Sequence, residues 1–144
     1  MNKKVVVFSQ LDDAIIQRLQ ADYEVVLINP KHGDVNAQIR QHAQDADGMI
    51  GAGRLLNADN LATAQQLKII SSVSVGYDNY DLAYLNQQKI WLSHTPHVLT
   101  ESTADLAFTL LMTAARKAAY LDQWTKQGNW TRTVAKAQFG QDIF

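Results

Sequence analysis

Five short apolar runs, each followed by residues at helical spacing, leave this chain few folds to choose from. The runs are Lys4–Ser9, Glu24–Asn29, Asp47–Ala52, Lys68–Val73 and Ile90–Ser93. They are rich in β-branched residues and too short for helices, so they read as buried strands. Between them, Asp12–Gln20 carries Ala14, Ile15, Ile16 and Leu19 on one stripe, with Asp12 placed to cap it. Val35–Ala46 sets Val35, Ile39, His42 and Ala43 on one face, and Ala58–Gln66 turns Leu61 and Ala64 inward. Asp81–Gln88 reads as a short fourth helix, and Asn29-Pro30 stops the second strand. Strands alternating with helices require crossover connections, hence an α/β fold: a parallel five-stranded sheet with helices on both faces. A flavodoxin-like strand order is the expectation.

The pattern changes after Pro96. Val98–Gln127 reads as one helix of 30 residues, against a usual length of about 11–12. Its middle, Ala104–Ala115, is apolar on nearly every side, and a helix of that kind needs cover on every side. The preceding strands and helices cannot supply it, so another polypeptide or a second copy is expected to. Beyond Gly128, residues 129–144 show no period and read as an irregular arm. The expected division is therefore 1–97, a long helix over 98–127, and an arm over 128–144.

Totals exclude several classes of function. The formal net charge is −1, with both signs scattered, which leaves no footprint for nucleic acid or a polybasic membrane segment. There is no cysteine, so thiolate chemistry, disulfides and cysteine-ligated zinc are out. The start, Met1–Ser9, lacks the apolar length of a secretory signal, and the expected location is the cytoplasm.

In an open parallel sheet, ligands bind at the C-terminal ends of the strands. Here those ends carry Ser9-Gln10, Gly51-Ala-Gly53-Arg54, Val73–Asp78 and Ser93–His97. A glycine just past a strand lets a ligand approach main chain, and free N–H groups there make a small anion nest. Val75 and Gly76 are thus candidates to hold a carboxylate, although Gly76 also suits a plain turn. Gly53 and Arg54 form a candidate second wall, Arg54 being available to an anion; a strand-to-helix turn is the competing reading. Gly51-Ala-Gly53 is not a dinucleotide loop, because the third glycine is replaced by Leu56. His94 and His97 lack the carboxylate partners a metal site needs, so no metal is expected. Thr95-Pro96 reads as a hinge, and Thr100–Thr103 can cap the helix that follows. Asp12 and Asp13 suggest a phospho-receiver, but the ends of strands three and five offer Gly51 and His94 where an acceptor Asp and a Lys are required.

The run Leu67–Asp81, joined to Thr95-Pro-His-Val-Leu-Thr-Glu-Ser-Thr-Ala-Asp105, resembles the D-isomer-specific 2-hydroxyacid dehydrogenases, nearest their glyoxylate/hydroxypyruvate and 2-ketogluconate reductase branch. The resemblance covers essentially the whole chain. It implies a flavodoxin-like substrate domain that works with a nicotinamide-binding Rossmann domain, which is absent from these residues. It implies reduction of a small 2-oxo acid (glyoxylate, hydroxypyruvate or 2-ketogluconate) by NADH or NADPH. It assigns carboxylate binding to the N–H groups of Val75 and Gly76. It sets Thr103 beside the nicotinamide and makes Thr95–Leu99 a hinge. The family's G-x-G-x-x-G loop and its catalytic Arg, Glu and His all lie beyond the matched stretch, so no catalytic residue is expected here. The resemblance thus implies a substrate-binding portion, inactive alone and binding no cofactor tightly, with a homodimer formed through 98–127. The alternative is a non-catalytic binding or regulatory module on the same fold.

Overall fold

The computed structural model describes residues 2–131 and 133–142. The chain divides into two compact units, Met1–His97 and Val98–Phe144.

In the first unit, the strands are β1 (Lys4–Val7), β2 (Glu24–Leu27), β3 (Gly48–Gly51), β4 (Ile69–Ser72) and β5 (Trp91–Ser93). All four pairings are parallel, in the order β2-β1-β3-β4-β5, which is the flavodoxin-like arrangement expected. The helices are α1 (Asp13–Asp22), α2 (Val35–Ala43), α3 (Ala58–Leu61) and α4 (Leu82–Gln87). Three of them start on an Asp whose side chain accepts backbone N–H groups: Asp12 from Ala14, Asp34 from Asn36 and Ala37, and Asp81 from Tyr84. Each cap satisfies donors that a helix start otherwise leaves open. The third helix is shorter than its pattern suggested: it ends after Leu61, although Leu61 and Ala64 are buried as expected. The turn after it, where Ala64 N–H donates to Leu61 O, replaces further helix.

Register explains which face is core. Val6, Met49, Ile70 and Leu92 lie in one row across the sheet. With Phe8 they pack against Val35, Ile39 and Ala43 of α2 and against Leu56, Leu61, Tyr80 and Leu85. In the other row, Gly48 is buried and Val5 half-buried, but Ile69 and Trp91 lack the cover that the sequence pattern led one to expect. Ile69 is 45% and Trp91 76% exposed. A shallow groove of about 260 Å³ lies between Ile69 and Leu19 of α1, with Tyr23, the residue that follows α1, also in its wall. The reason is width: one helix, about 10 Å across, shields roughly two strands spaced about 4.8 Å apart. β4 and β5 therefore stay bare on that side.

The second unit corrects the expectation of a single helix over 98–127. It holds α5 (Thr100–Ala115) and α6 (Ala118–Lys126), broken at Lys117, whose φ of 54° is left-handed. No proline or glycine stands at the break. Its cause is the arm. Gln141 N–H donates to Ala115 O at 2.8 Å, and Lys117 Nζ donates to Ala137 O at 3.1 Å. Gly140 crosses so closely that a Cβ there would collide with Ala115 O and the backbone of Arg116. A crossing chain that takes the carbonyl of Ala115 ends the helix ladder at that turn. The arm, expected to be irregular, carries one short 3-10 turn at Lys136–Gln138; its Arg132, Ile143 and Phe144 lie outside the described residues. Thr100 does not cap α5: Leu99 occupies that position without a side-chain bond, and Ser102 Oγ donates back to Leu99 O instead. No described side chain of α5 is buried. Leu106, Phe108, Leu110 and Leu111 are each at least half exposed.

Candidate functional site

The loop after β4 is pinned at several points. Val73 N–H donates to Gly51 O at 2.9 Å, tying the loop's start to β3. Thr95 N–H donates to Ser74 O at 3.0 Å, tying it to the end of β5. His94 Nδ1 lies 3.0 Å from Val75 O; with its proton on that nitrogen it donates to the carbonyl. The Tyr77 ring meets His94 edge-on at 5.3 Å. Tyr80 N–H closes the loop onto Tyr77 O at 3.1 Å, and Tyr80 itself is buried.

The N–H groups of residues 74–79, Val75 and Gly76 among them, take no acceptor among the described residues, and Val75 and Gly76 are exposed. Two free donors on an anchored loop at a strand's C-terminal end suit an anion. Gly76 does not have a positive φ. A Cβ there would meet only Asp78 Oδ2, at 3.3 Å. Backbone strain therefore does not account for glycine at this position; open space above the main chain does. Asp78 works against an anion here, since a like charge in solvent at about 4 Å costs about 1 kcal/mol.

Gly53 and Arg54 sit after β3, in the wall of a separate crevice of about 540 Å³. The loop after β1 (Ser9, Gln10, Leu11) and the turn after β2 (Asn29, Pro30) form its other walls. Ser9 Oγ accepts Ala52 N–H at 3.0 Å and so joins the two loops. Arg54 is half-buried and has no ion pair or hydrogen bond among the described residues. Val75 and Gly76 do not line this crevice, so the structure separates the four candidates into two neighbouring places. Thr103 lies in the second unit, in the first turn of α5, its N–H donating to Leu99 O.

No group of three or more metal-ligating side chains occurs among the described residues. His94 contributes a hydrogen bond to Val75 O, which sequence reasoning missed. The available signal was position: His94 ends the strand next to β4. Ser9, Asn29 and Asp13 were likewise not singled out for the crevice. Another open cavity, about 510 Å³, lies between α4 and β5, but its lining is mostly apolar, from Leu82, Leu85, Ile90, Trp91 and Leu92.

Residues 5–138 match the family model described as D-isomer specific 2-hydroxyacid dehydrogenase, catalytic domain. A probable 2-ketogluconate reductase from Dictyostelium discoideum is 36% identical over 143 residues, covering 99% of this chain and 43% of that protein. A glyoxylate/hydroxypyruvate reductase B from Salmonella typhimurium is 34% identical, covering 99% and 44%. Among solved structures, the NADPH-dependent glyoxylate/hydroxypyruvate reductase from Sinorhizobium meliloti, in complex with NADP and malonate, superposes with a TM-score of 0.74 at 27% identity, covering 99% of this chain and 44% of that one. The chain thus spans less than half the length of these relatives.

Proposed function

Because this chain belongs to the D-isomer specific 2-hydroxyacid dehydrogenase family, we propose that it is the substrate-binding portion of an NADH- or NADPH-dependent reductase of 2-oxo acids. The observation that carries this reading is an anchored loop at the C-terminal end of β4 whose unpaired donors include Val75 N–H and Gly76 N–H. They hold the substrate carboxylate; each hydrogen bond to a charged group contributes about 1.5–3 kcal/mol. His94 and Thr95 hold the loop in place. Arg54 and Gly53 face the substrate's other end from the crevice beside it.

A nicotinamide coenzyme supplies the hydride when it is bound. These residues fit only its margin. Thr103, at the start of α5, is the one position proposed to touch it. The 144 residues contain no G-x-G-x-x-G sequence to seat a pyrophosphate. The chain by itself binds a 2-oxo acid weakly, binds neither NADH nor NADPH tightly, and turns nothing over. No step of proton transfer is assigned to any residue here.

The bare face of α5 supports self-association. Leu106, Leu110 and Leu111 are 57%, 59% and 50% exposed on one helix, and burying each contributes about 1.5–3 kcal/mol. A homodimer through α5 is the proposed assembly. No helix among the described residues is long and apolar enough to cross a membrane, and a cytoplasmic location is proposed.

The test is spectrophotometric. Purified chain with NADPH or NADH and glyoxylate, hydroxypyruvate or 2-ketogluconate leaves the absorbance of the reduced coenzyme unchanged, while calorimetry detects the acid binding. Coenzyme oxidation would overturn the inactivity. Absence of binding by every 2-oxo acid would favour the alternative, a regulatory module on this fold.

A further inference from the structure

The unpaired N–H groups of residues 74–79 are not equivalent. An unpaired N–H serves an anion well only if something else fixes its direction. The carbonyl of the same peptide unit can do so. A peptide unit is planar, and no cis bond occurs among the described residues, so the C=O of one residue and the N–H of the next point opposite ways. A partner on the carbonyl therefore aims the amide.

Three carbonyls of such units are held in this loop. Ser74 O accepts Thr95 N–H at 3.0 Å, which aims the N–H of Val75. Val75 O faces His94 Nδ1 at 3.0 Å, which aims the N–H of Gly76. Tyr77 O accepts Tyr80 N–H at 3.1 Å and aims the N–H of Asp78, but that residue carries a carboxylate of its own, which repels an anion. Two adjacent amides remain, and two consecutive residues at the end of β5 aim them. The Thr95 contact is main chain, so every residue but proline can make it. The His94 contact runs through the side chain and depends on which residue stands there.

We propose that His94 is a positioning residue for the carboxylate site: its imidazole holds the Val75–Gly76 peptide plane so that the Gly76 N–H meets the substrate. This role rests on the reading that Val75 and Gly76 hold the carboxylate. His94 acts through the Val75 carbonyl. A carbonyl only accepts, so Nδ1 carries the proton, and in the neutral ring Nε2 carries none. The Tyr77 ring, edge-on at 5.3 Å and inclined by 77°, packs against the imidazole and limits its rotation. A hydrogen bond at the carbonyl also polarises the peptide unit and strengthens its N–H as a donor. Gly76 needs the anchor most, because glycine leaves the backbone its widest choice of conformations.

Amide titration of the nitrogen-15-labelled 144-residue chain with glyoxylate tests this, for the parent, His94→Leu and His94→Asn. Leucine removes the donor. Asparagine restores an N–H at the same number of bonds from Cβ as Nδ1. His94 is exposed, so neither change touches the core, and melting temperatures check that the fold is retained. His94→Leu should weaken glyoxylate binding about 2- to 13-fold, the contribution of one neutral hydrogen bond. It should also shift the Gly76 amide before any acid is added, and His94→Asn should recover most of the lost affinity. In the parent, nitrogen-15 spectra of the neutral imidazole should place the proton on Nδ1; this measurement decides even if His94→Leu does not fold. Equal affinity of parent and His94→Leu, no recovery with asparagine, or a neutral imidazole protonated at Nε2 would overturn the role of His94 and leave the carboxylate site standing. Failure of the parent to bind glyoxylate would overturn the carboxylate site, and this role with it.

Discussion

Replacing Gly76 separates the carboxylate site from the fold that carries it. The residue is exposed, has no positive φ and donates to no described acceptor, so the fold does not depend on it. Gly76→Ala keeps the N–H and adds a methyl whose only near neighbour is Asp78 Oδ2 at 3.3 Å. Gly76→Pro deletes the donor. A hydrogen bond to a carboxylate contributes about 1.5–3 kcal/mol, and about 1.4 kcal/mol is tenfold in affinity. Loss of one of the two bonds therefore weakens binding by roughly 10- to 150-fold. A parent affinity near 1 mM, about 4.1 kcal/mol, then moves out of reach of titration. Calorimetry with glyoxylate measures this, and thermal unfolding serves as the control. Gly76→Ala should weaken binding less than Gly76→Pro, since it obstructs approach without removing a donor. A Gly76→Pro chain that unfolds at the parent's temperature and binds glyoxylate equally well would refute the reasoning.

Other consequences concern packing, assembly and charge. Gly51→Ala would set a Cβ 2.7 Å from the buried Phe8 ring; overpacking of this kind costs about 1–3 kcal/mol, read as a lower urea midpoint. Leu110→Glu, on the bare face of α5, should shift the chain toward monomer in analytical ultracentrifugation, and an unchanged mass distribution would count against that face as the dimer contact. The Lys4 ammonium donates to Asp45 and holds its carboxyl below its ordinary value. A depressed carboxylate stabilises the folded state above its unfolded-state pKa and loses that effect as pH falls through the folded one. The melting temperatures of the parent and Asp45→Asn should therefore differ most at neutral pH and converge in the acid range below the ordinary carboxylate value.

The alternation of strands and helices was legible because each of its signals is local, whereas the strand order was expected only because five-stranded sheets of this kind commonly adopt it. β-branched runs, the capping residue Asp12 and Pro30 all act within a few residues of themselves. The break at Lys117 was not legible, because its cause is remote: Gly140 and Gln141 reach back to Ala115 across 25 residues of chain or more. Nothing between Ala115 and Ala118 departs from a helical pattern. The bare side of β4 and β5 escaped notice for a related reason. Ile69 and Trp91 are apolar whether or not a helix lies over them, so composition does not report on cover. At the site, Val75 and Gly76 were visible from strand position and glycine alone. His94 was weighed as a metal ligand, whereas its bond to Val75 O depends on β5 lying beside β4. Arg54 and Gly53 were grouped with the loop after β4; the structure instead sets them in the wall of a crevice shared with β1 and β2.

The central claim is that two main-chain donors on the β4 loop hold a 2-oxo acid. The most direct measurement is a nitrogen-15 amide titration of the isotopically labelled chain with glyoxylate. Saturable shifts are expected at the Val75 and Gly76 amides, with smaller movement at His94 and Thr95. Saturable shifts elsewhere that leave Val75 and Gly76 in place, or no shifts at all, would contradict it.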